Sequence, residues 1–240
     1  MNILLTNDDG IDSEGLQKLA GVLRAAAKHR VFVIAPDKDR SGVSHGITIL
    51  KDPVKLSPAG EDSWSCSGTP ADCVIVGLMG ALPVKADLVL SGINRGANSG
   101  TDLIYSGTAA AARQASLAGV PAVAFSLQAW EGYYWDMAAS WAAEHLDEFF
   151  GLWRKDCFIN VNIPNSPGGP NGIVPAWPAV KDYGDELSVM DAPDGKRYCF
   201  LIPGEEKAVH GAGSDCEVLS RNFASVSAIN NFPVLQGEGK

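Results

Sequence analysis

Two acids, Asp8 and Asp9, stand side by side at the end of the apolar run "NILLT", with Asn7 before them and Gly10 after. Adjacent anions repel, and each is costly to desolvate without a partner. The stretch "GINRGANSGTDLIYSGT" (92–108) repeats glycine at Gly92, Gly96 and Gly100 and carries Asn94 and Asn98. Recurrent glycine lets a backbone turn tightly and approach a ligand closely. The stretch ends in Ser106-Gly107-Thr108 and runs into an alanine-rich helical segment. Free N–H groups at a helix start favour an anion. A carboxylate pair facing neutral amide and hydroxyl oxygens suits a hard divalent cation, magnesium or manganese. Cation and phosphate together point to phosphoryl chemistry, with the cation offsetting the repulsion between the acids.

Plainer readings stand beside this one. Asp8 and Asp9 also fit a turn and N-cap pair, Asn94 and Asn98 are ordinary turn residues, and Ser106-Gly107-Thr108 fits a simple helix cap. Ser41 by itself is a loop hydroxyl. His45 is either a proton donor to a leaving group or an exposed loop histidine. Lys38, Arg40 and Arg95 read as phosphate partners or as solvated loop charges. Tyr105 is the aromatic that adjoins the phosphate segment.

The elements around these residues alternate. "NILLT" (2–6), "VFVIAP" (31–36), "ADLVLSG" (86–92), "VPAVAFSL" (120–127) and "CFINVNIP" (157–164) read as short apolar strands. Between them, "SEGLQKLAGVLRAAAKH" has a helical period with Ser13 as N-cap, and "TPADCVIVGLMGAL" (69–82) carries a capping box with Pro70 in the first turn. "YYWDMAASWAAEHLDEFFGLW" (133–153) reads as one long amphipathic helix. The stretch 46–68 suggests a hairpin excursion. Residues 92–108 read as a loop of roughly fifteen residues without regular structure, a length that usually means function.

Buried strands alternating with helices predict a mainly parallel sheet covered on both faces, a three-layer α/β/α fold of Rossmann type. Ligands of such sheets bind beyond the carboxyl ends of the strands, so the loops at 6–10, 37–46 and 92–108 should share one rim. After "PNSPGGPNG" (164–172) the texture changes. "ELSVMDAPDGKRYCFLIPG" (186–204) reads as a β-hairpin turning at Asp194-Gly195, and "NFASVSAINNF" (222–232) as a strand. The expected organisation is a core over 1–165 and a hairpin-bearing extension over 166–240, used for oligomerisation or for covering the site. The closing "FPVLQGEGK" has no helical pattern.

Composition narrows the class. The 240-residue chain has a formal net charge of −9, the wrong sign for a general nucleic-acid binder. Five cysteines, an odd number without CxxC spacing, disfavour a zinc site or disulfide framework and suit a reducing compartment. No secretory leader or bilayer-spanning run is legible, so the expected location is the cytoplasm and no membrane partner is expected. Walker GxxxxGK[ST], GxSxG and HExxH patterns are absent.

The motifs "NDDG" (7–10), "APDKDRSG" (35–42), "SGTPADCV" (67–74), "SGINRGANSG" (91–100), "YSGTAAA" (105–111) and "NVNIP" (160–164) together resemble the SurE family of metal-dependent nucleoside-monophosphate phosphatases, over almost the whole chain. The resemblance implies a Rossmann-like core, an oligomerising hairpin giving a homodimer or homotetramer, and one divalent metal ion. It places Asp8, Asp9, Ser41 and Asn94 at the metal-ligand positions, with Asp8 and Asp9 also catalytic. It puts Asn98, Ser106, Gly107 and Thr108 around the substrate phosphate. The implied activity is hydrolysis of nucleoside 5′- and 3′-monophosphates and, in some members, short polyphosphate. Two rivals are a non-catalytic nucleotide or metal binder and a phosphatase working through an aspartyl-phosphate. The second usually needs Asp-x-Asp-x-Thr, which this chain lacks after its first strand.

Overall fold

The computed structural model describes residues 1–129, 131–205, 207–209 and 211–233; the stretch after Pro233, with most of "FPVLQGEGK", lies outside the described residues. In chain order the elements are β1 (Asn2–Thr6), α1 (Glu14–Ala25), β2 (Arg30–Pro36), β3 (Leu56–Gly60), β4 (Ser63–Cys66), α2 (Pro70–Val76), β5 (Leu88–Arg95), α3 (Asp102–Tyr105), α4 (Gly107–Leu117) and β6 (Ala122–Gln128). There follow α5 (Trp135–Glu144), α6 (Leu146–Leu152), β7 (Cys157–Pro164), β8 (Ile173–Pro175), β9 (Val180–Asp182), β10 (Glu186–Asp191), β11 (Arg197–Ile202), β12 (Lys207–Val209), α7 (Asp215–Ser220) and β13 (Ala224–Asn230).

Nine strands form one sheet in the order β3-β4-β2-β1-β5-β6-β7-β13-β8. Neighbours from β4 to β7 run parallel, while β3 and β13 pair antiparallel with β4 and β7. The period of two along each strand divides the core. Ile3 and Leu5 of β1, with Val31 and Val33 of β2, face α1, α5 and α6. Leu4, Phe32 and Ile34 point the other way, to α2 and the alanines of α4. The small residues Ala109, Ala111, Ala112 and Ala115 let α4 lie close on the sheet. This is the α/β architecture the sequence predicts. Residues 46–68 supply the expected hairpin, β3–β4, which adds to the sheet beside β2.

Three local expectations are corrected. The segment 133–153 is two helices broken at His145, whose ring Nδ1 lies 2.9 Å from the Trp141 carbonyl and whose ring packs on Trp141 and Phe149. The His145 N–H also donates to the Trp141 carbonyl at 3.2 Å, and beyond the break Leu146 and Phe149 are buried in the core. Ser13 occupies the N-cap position of α1 but makes no capping bond, because its Oγ accepts from Asn7 Nδ2 at 2.6 Å. The loop 92–108 is shorter than expected: β5 continues to Arg95, with buried Ile93 inside, and α3 occupies four of the remaining residues.

α2 has its capping box, Thr69 with Asp72. Asp72 also accepts from the backbone N–H groups of Thr48 and Ile49, which ties the preceding loop to the helix start. Beyond β7, strands β10 and β11 form an antiparallel hairpin through the turn at Gly195, where φ is +79°. Its large apolar side chains are exposed on both faces, Leu187 at 64% and Phe200 at 50% among them.

Candidate active site

The chain leaves β1 for β2 on one side and later crosses to β5 on the other, so the strand order reverses between the parallel neighbours β1 and β5. Crevices at such a reversal are where open α/β sheets bind ligands. Asp8 and Asp9 follow β1 immediately, and Asn94 and Arg95 end β5.

Asp8 is buried. One carboxylate oxygen accepts the N–H of Gly107 at 3.0 Å, and the other accepts the Thr108 hydroxyl. A Cβ at Gly107 would lie 2.8 Å from Asp8 Cβ, so only glycine permits this approach. The Asp8 carbonyl accepts from the Arg40 N–H at 2.8 Å, which fastens the loop holding Ser41 to the acid. Asp9 accepts the Arg95 N–H at 3.0 Å. No cationic side chain is hydrogen-bonded to either carboxylate among the described residues. Burial raises the Asp8 pKa despite the bonds from Thr108 and Gly107. Burial and then the Asp8 charge push Asp9 up to about 6, against the Arg95 bond.

Asp8, Ser41, Asn94, Asn98 and Ser106 line one cleft of about 700 Å³. The Ser41 side chain is exposed there, while its N–H donates to Asp39 at 2.7 Å. Asn94 donates its amide nitrogen to the Gly96 carbonyl at 2.9 Å, which leaves its side-chain oxygen as the atom it can offer. Ser106 caps α4 by accepting from the Ala109 N–H at 3.0 Å. Gly107 and Thr108 sit behind the Asp8 carboxylate, engaged by it, rather than along the cleft wall. Asp9 faces a neighbouring pocket that shares Arg95 with the cleft. His45 pairs with Gln114 on α4 at 2.9 Å, and the Arg40 guanidinium is taken by the Ser67 carbonyl and Asp37. Tyr105 lines the cleft, 55% exposed.

Sequence reasoning missed the residues that hold the 96–106 segment in place. Asn98 donates its N–H to Asn162 at 2.8 Å and its side-chain nitrogen to Ser126 at 2.8 Å, while its carbonyl accepts from Asn160 and Asn162. Two asparagines at alternate positions of an otherwise apolar buried strand were the available signal. Asp215, at the start of α7 and 1% exposed, accepts from the N–H groups of Gly100 at 2.7 Å and Ala179 at 2.9 Å. Gly100 has φ +57°, and a Cβ there would meet the Ala179 carbonyl at 2.6 Å. Asp102 pairs with Lys181 at 2.7 Å and accepts from the Tyr183 hydroxyl. Nothing local in the sequence marks these partners.

The fold and rim define a three-layer α/β protein with an oxygen-donor site where the strand order reverses. The family model "Survival protein SurE" matches residues 3–177. The chain is 39% identical over 238 residues to the 5'-nucleotidase SurE of Geobacter sulfurreducens, covering 96% of this chain and 88% of that protein. It is 35% identical over 245 residues to the 5'-nucleotidase SurE of Prochlorococcus marinus strain MIT 9211, covering 95% and 90%. The crystal structure of SurE protein from Aquifex aeolicus superposes with a TM-score of 0.85 at 32% identity, covering 98% of this chain and 95% of that one. The chain belongs to the SurE family.

Proposed function

We propose that this chain is a phosphoric monoester hydrolase that releases phosphate from nucleoside 5′-monophosphates, with 3′-monophosphates and short polyphosphate as further substrates. One observation carries the reading: two adjacent carboxylates where the strand order reverses, bonded to the backbone N–H groups of Gly107 and Arg95 and the Thr108 hydroxyl, and among the described residues to no cationic side chain, although the Arg95 charge does lower the Asp9 pKa. The names of the relatives agree with it.

The donor set fits one magnesium or manganese ion. Among the described residues no group of three His, Cys, Asp or Glu is placed to share a metal. None is needed where two carboxylates are completed by a hydroxyl and an amide oxygen, from Ser41 and Asn94. When bound, the ion supplies positive charge for a phosphoryl oxygen and acidifies water. The chain's own groups do the rest. Gly107 and Thr108 orient Asp8, and the Arg95 N–H orients Asp9. Either acid can accept the proton of an attacking water. Of the four residues expected around the phosphate, Asn98 and Ser106 line the cleft and hold phosphate oxygens, where charge sits in the transition state, while the Gly107 N–H and Thr108 hydroxyl are engaged by Asp8 and act through it.

The extension over 166–240 serves assembly into a homodimer or homotetramer, or covers the site; the exposed apolar hairpin β10–β11 supports this. A net charge of −9 argues against a nucleic-acid polymer as partner. The cytoplasm is the location proposed, on free cysteines that suit a reducing compartment; among the described residues no helix is long and apolar enough to cross a membrane.

The test is phosphate release from a panel of nucleotides after EDTA treatment and again with Mg²⁺ or Mn²⁺ restored. Metal-restored release from 5′-monophosphates is expected. No release from any nucleotide under either condition would favour the non-catalytic binder.

A further inference from the structure

The pocket beside Asp9 has about 360 Å³, within the roughly 300–1,000 Å³ of small-molecule sites. It meets the acid pair at Asp9 and shares Arg95 with the larger cleft. Its wall differs from the cleft's. Tyr133 and Trp135 lie stacked, ring centres 4.8 Å apart and planes within 10°. Trp135 is 6% exposed and fixed from behind, since a Cβ at Gly15 would approach its ring to 2.8 Å. Asp37 and Lys38 add an acceptor and a donor at the rim. The larger cleft has asparagine, serine and charged groups together with two tyrosines, Tyr105, 55% exposed, and Tyr183, whose hydroxyl donates to Asp102. A flat heteroaromatic ring gains most from an aromatic wall of fixed orientation with a few polar groups at its edge.

We propose that this pocket takes the base of the nucleotide against the Tyr133 ring, which Trp135 backs from its other face, a purine better than a pyrimidine, while the phosphate stays at the acid pair. The inference rests on the nucleotidase reading for its substrate class, but free nucleoside tests it separately. The larger ring system of a purine covers more of the aromatic wall, which sets the preference.

The experiment is equilibrium dialysis of adenosine and cytidine against the full chain, with Tyr133→Ala, Tyr133→Phe and Tyr105→Ala, each checked by circular dichroism. Adenosine should bind more tightly than cytidine. Tyr133→Ala should weaken adenosine by about five-fold or more, the low end for loss of one base–aromatic stack. Tyr133→Phe, which keeps the ring, should bind adenosine like the unmodified chain. The KM for adenosine monophosphate should rise in Tyr133→Ala by the same factor, while inhibition by inorganic phosphate stays unchanged. Unchanged adenosine affinity in Tyr133→Ala, loss of it in Tyr105→Ala instead, or no adenosine binding at all would overturn the proposal. Adenosine binding without phosphate release would retain the pocket and sink the nucleotidase reading. Phosphate release indifferent to Tyr133 would do the reverse.

Discussion

Asp8 and Asp9 share a property that an optimally stable protein would avoid. Both are drawn into low-dielectric surroundings, and the Asp8 charge raises the cost of ionising Asp9 further. Backbone donors from Gly107 and Arg95 lessen that cost without removing it. Sites that hold such strain tend to be functional, and relieving it trades activity for stability. Asp9→Asn is therefore expected to lower turnover by about a hundred-fold or more, the scale of losing a general base or a metal ligand. Its melting temperature in EDTA should be no lower than that of the unmodified chain. A stable variant with near-normal metal-restored turnover would show that Asp9 takes no part in the reaction.

At the scale of elements, two carboxylates organise loops rather than chemistry. Burial works against ionised Asp72, but the hydrogen bonds from Thr48, Thr69 and Ile49 outweigh it and leave its pKa lowered. A carboxyl group lowered in the folded state stabilises above its unfolded value, near 3.8, and that stabilisation is lost as pH falls through the folded value. Acid unfolding of Asp72→Asn, followed by circular dichroism, should show a flatter pH dependence below about pH 4 than the unmodified chain, from a lower plateau at neutral pH. Asp215 bridges Gly100 and Ala179, so it joins the 96–106 segment to the extension. Asp215→Asn keeps one accepting oxygen and turns an amide NH2 toward either the Gly100 N–H or the Ala179 and Cys216 N–H groups, which need an acceptor. The expected cost is about 1–3 kcal/mol in urea unfolding, with a lower kcat as the segment carrying Asn98 loosens. Unchanged stability and kcat would mean that the bridge is dispensable.

For the whole molecule, the hairpin β10–β11 is the feature a lone chain does not explain. Leu187, Val189, Met190, Phe200, Leu201 and Ile202 are all about half exposed or more. They lie on both faces of the hairpin, and exposed apolar surface on this scale suits the assembly role proposed for the extension. Light scattering should give the mass of a dimer or tetramer. Phe200→Glu should shift it toward the monomer, since a charge would be desolvated on assembly. A monomeric mass for the unmodified chain would leave the hairpin free to cover the site instead.

The sequence by itself determined the alternation of strands and helices, the capping box of α2, the turn at Gly195, and the acid pair at a strand end. Each of these rests on periodicity or on neighbours within a few residues. It also showed the small polar residues at the rim, but not how they are held. Only the tertiary structure decided that Gly107 and Thr108 satisfy Asp8 from about 100 residues away, that Asp215 reaches Gly100 across 115, and that Lys181 and Tyr183 hold Asp102. The break at His145 and the continuation of β5 to Arg95 were decided there too. Hydrophobic pattern is written locally because burial acts on each residue in turn. The partner of a buried polar group is whichever donor or acceptor the packed layers bring within about 3 Å, and no stretch of sequence carries that distance.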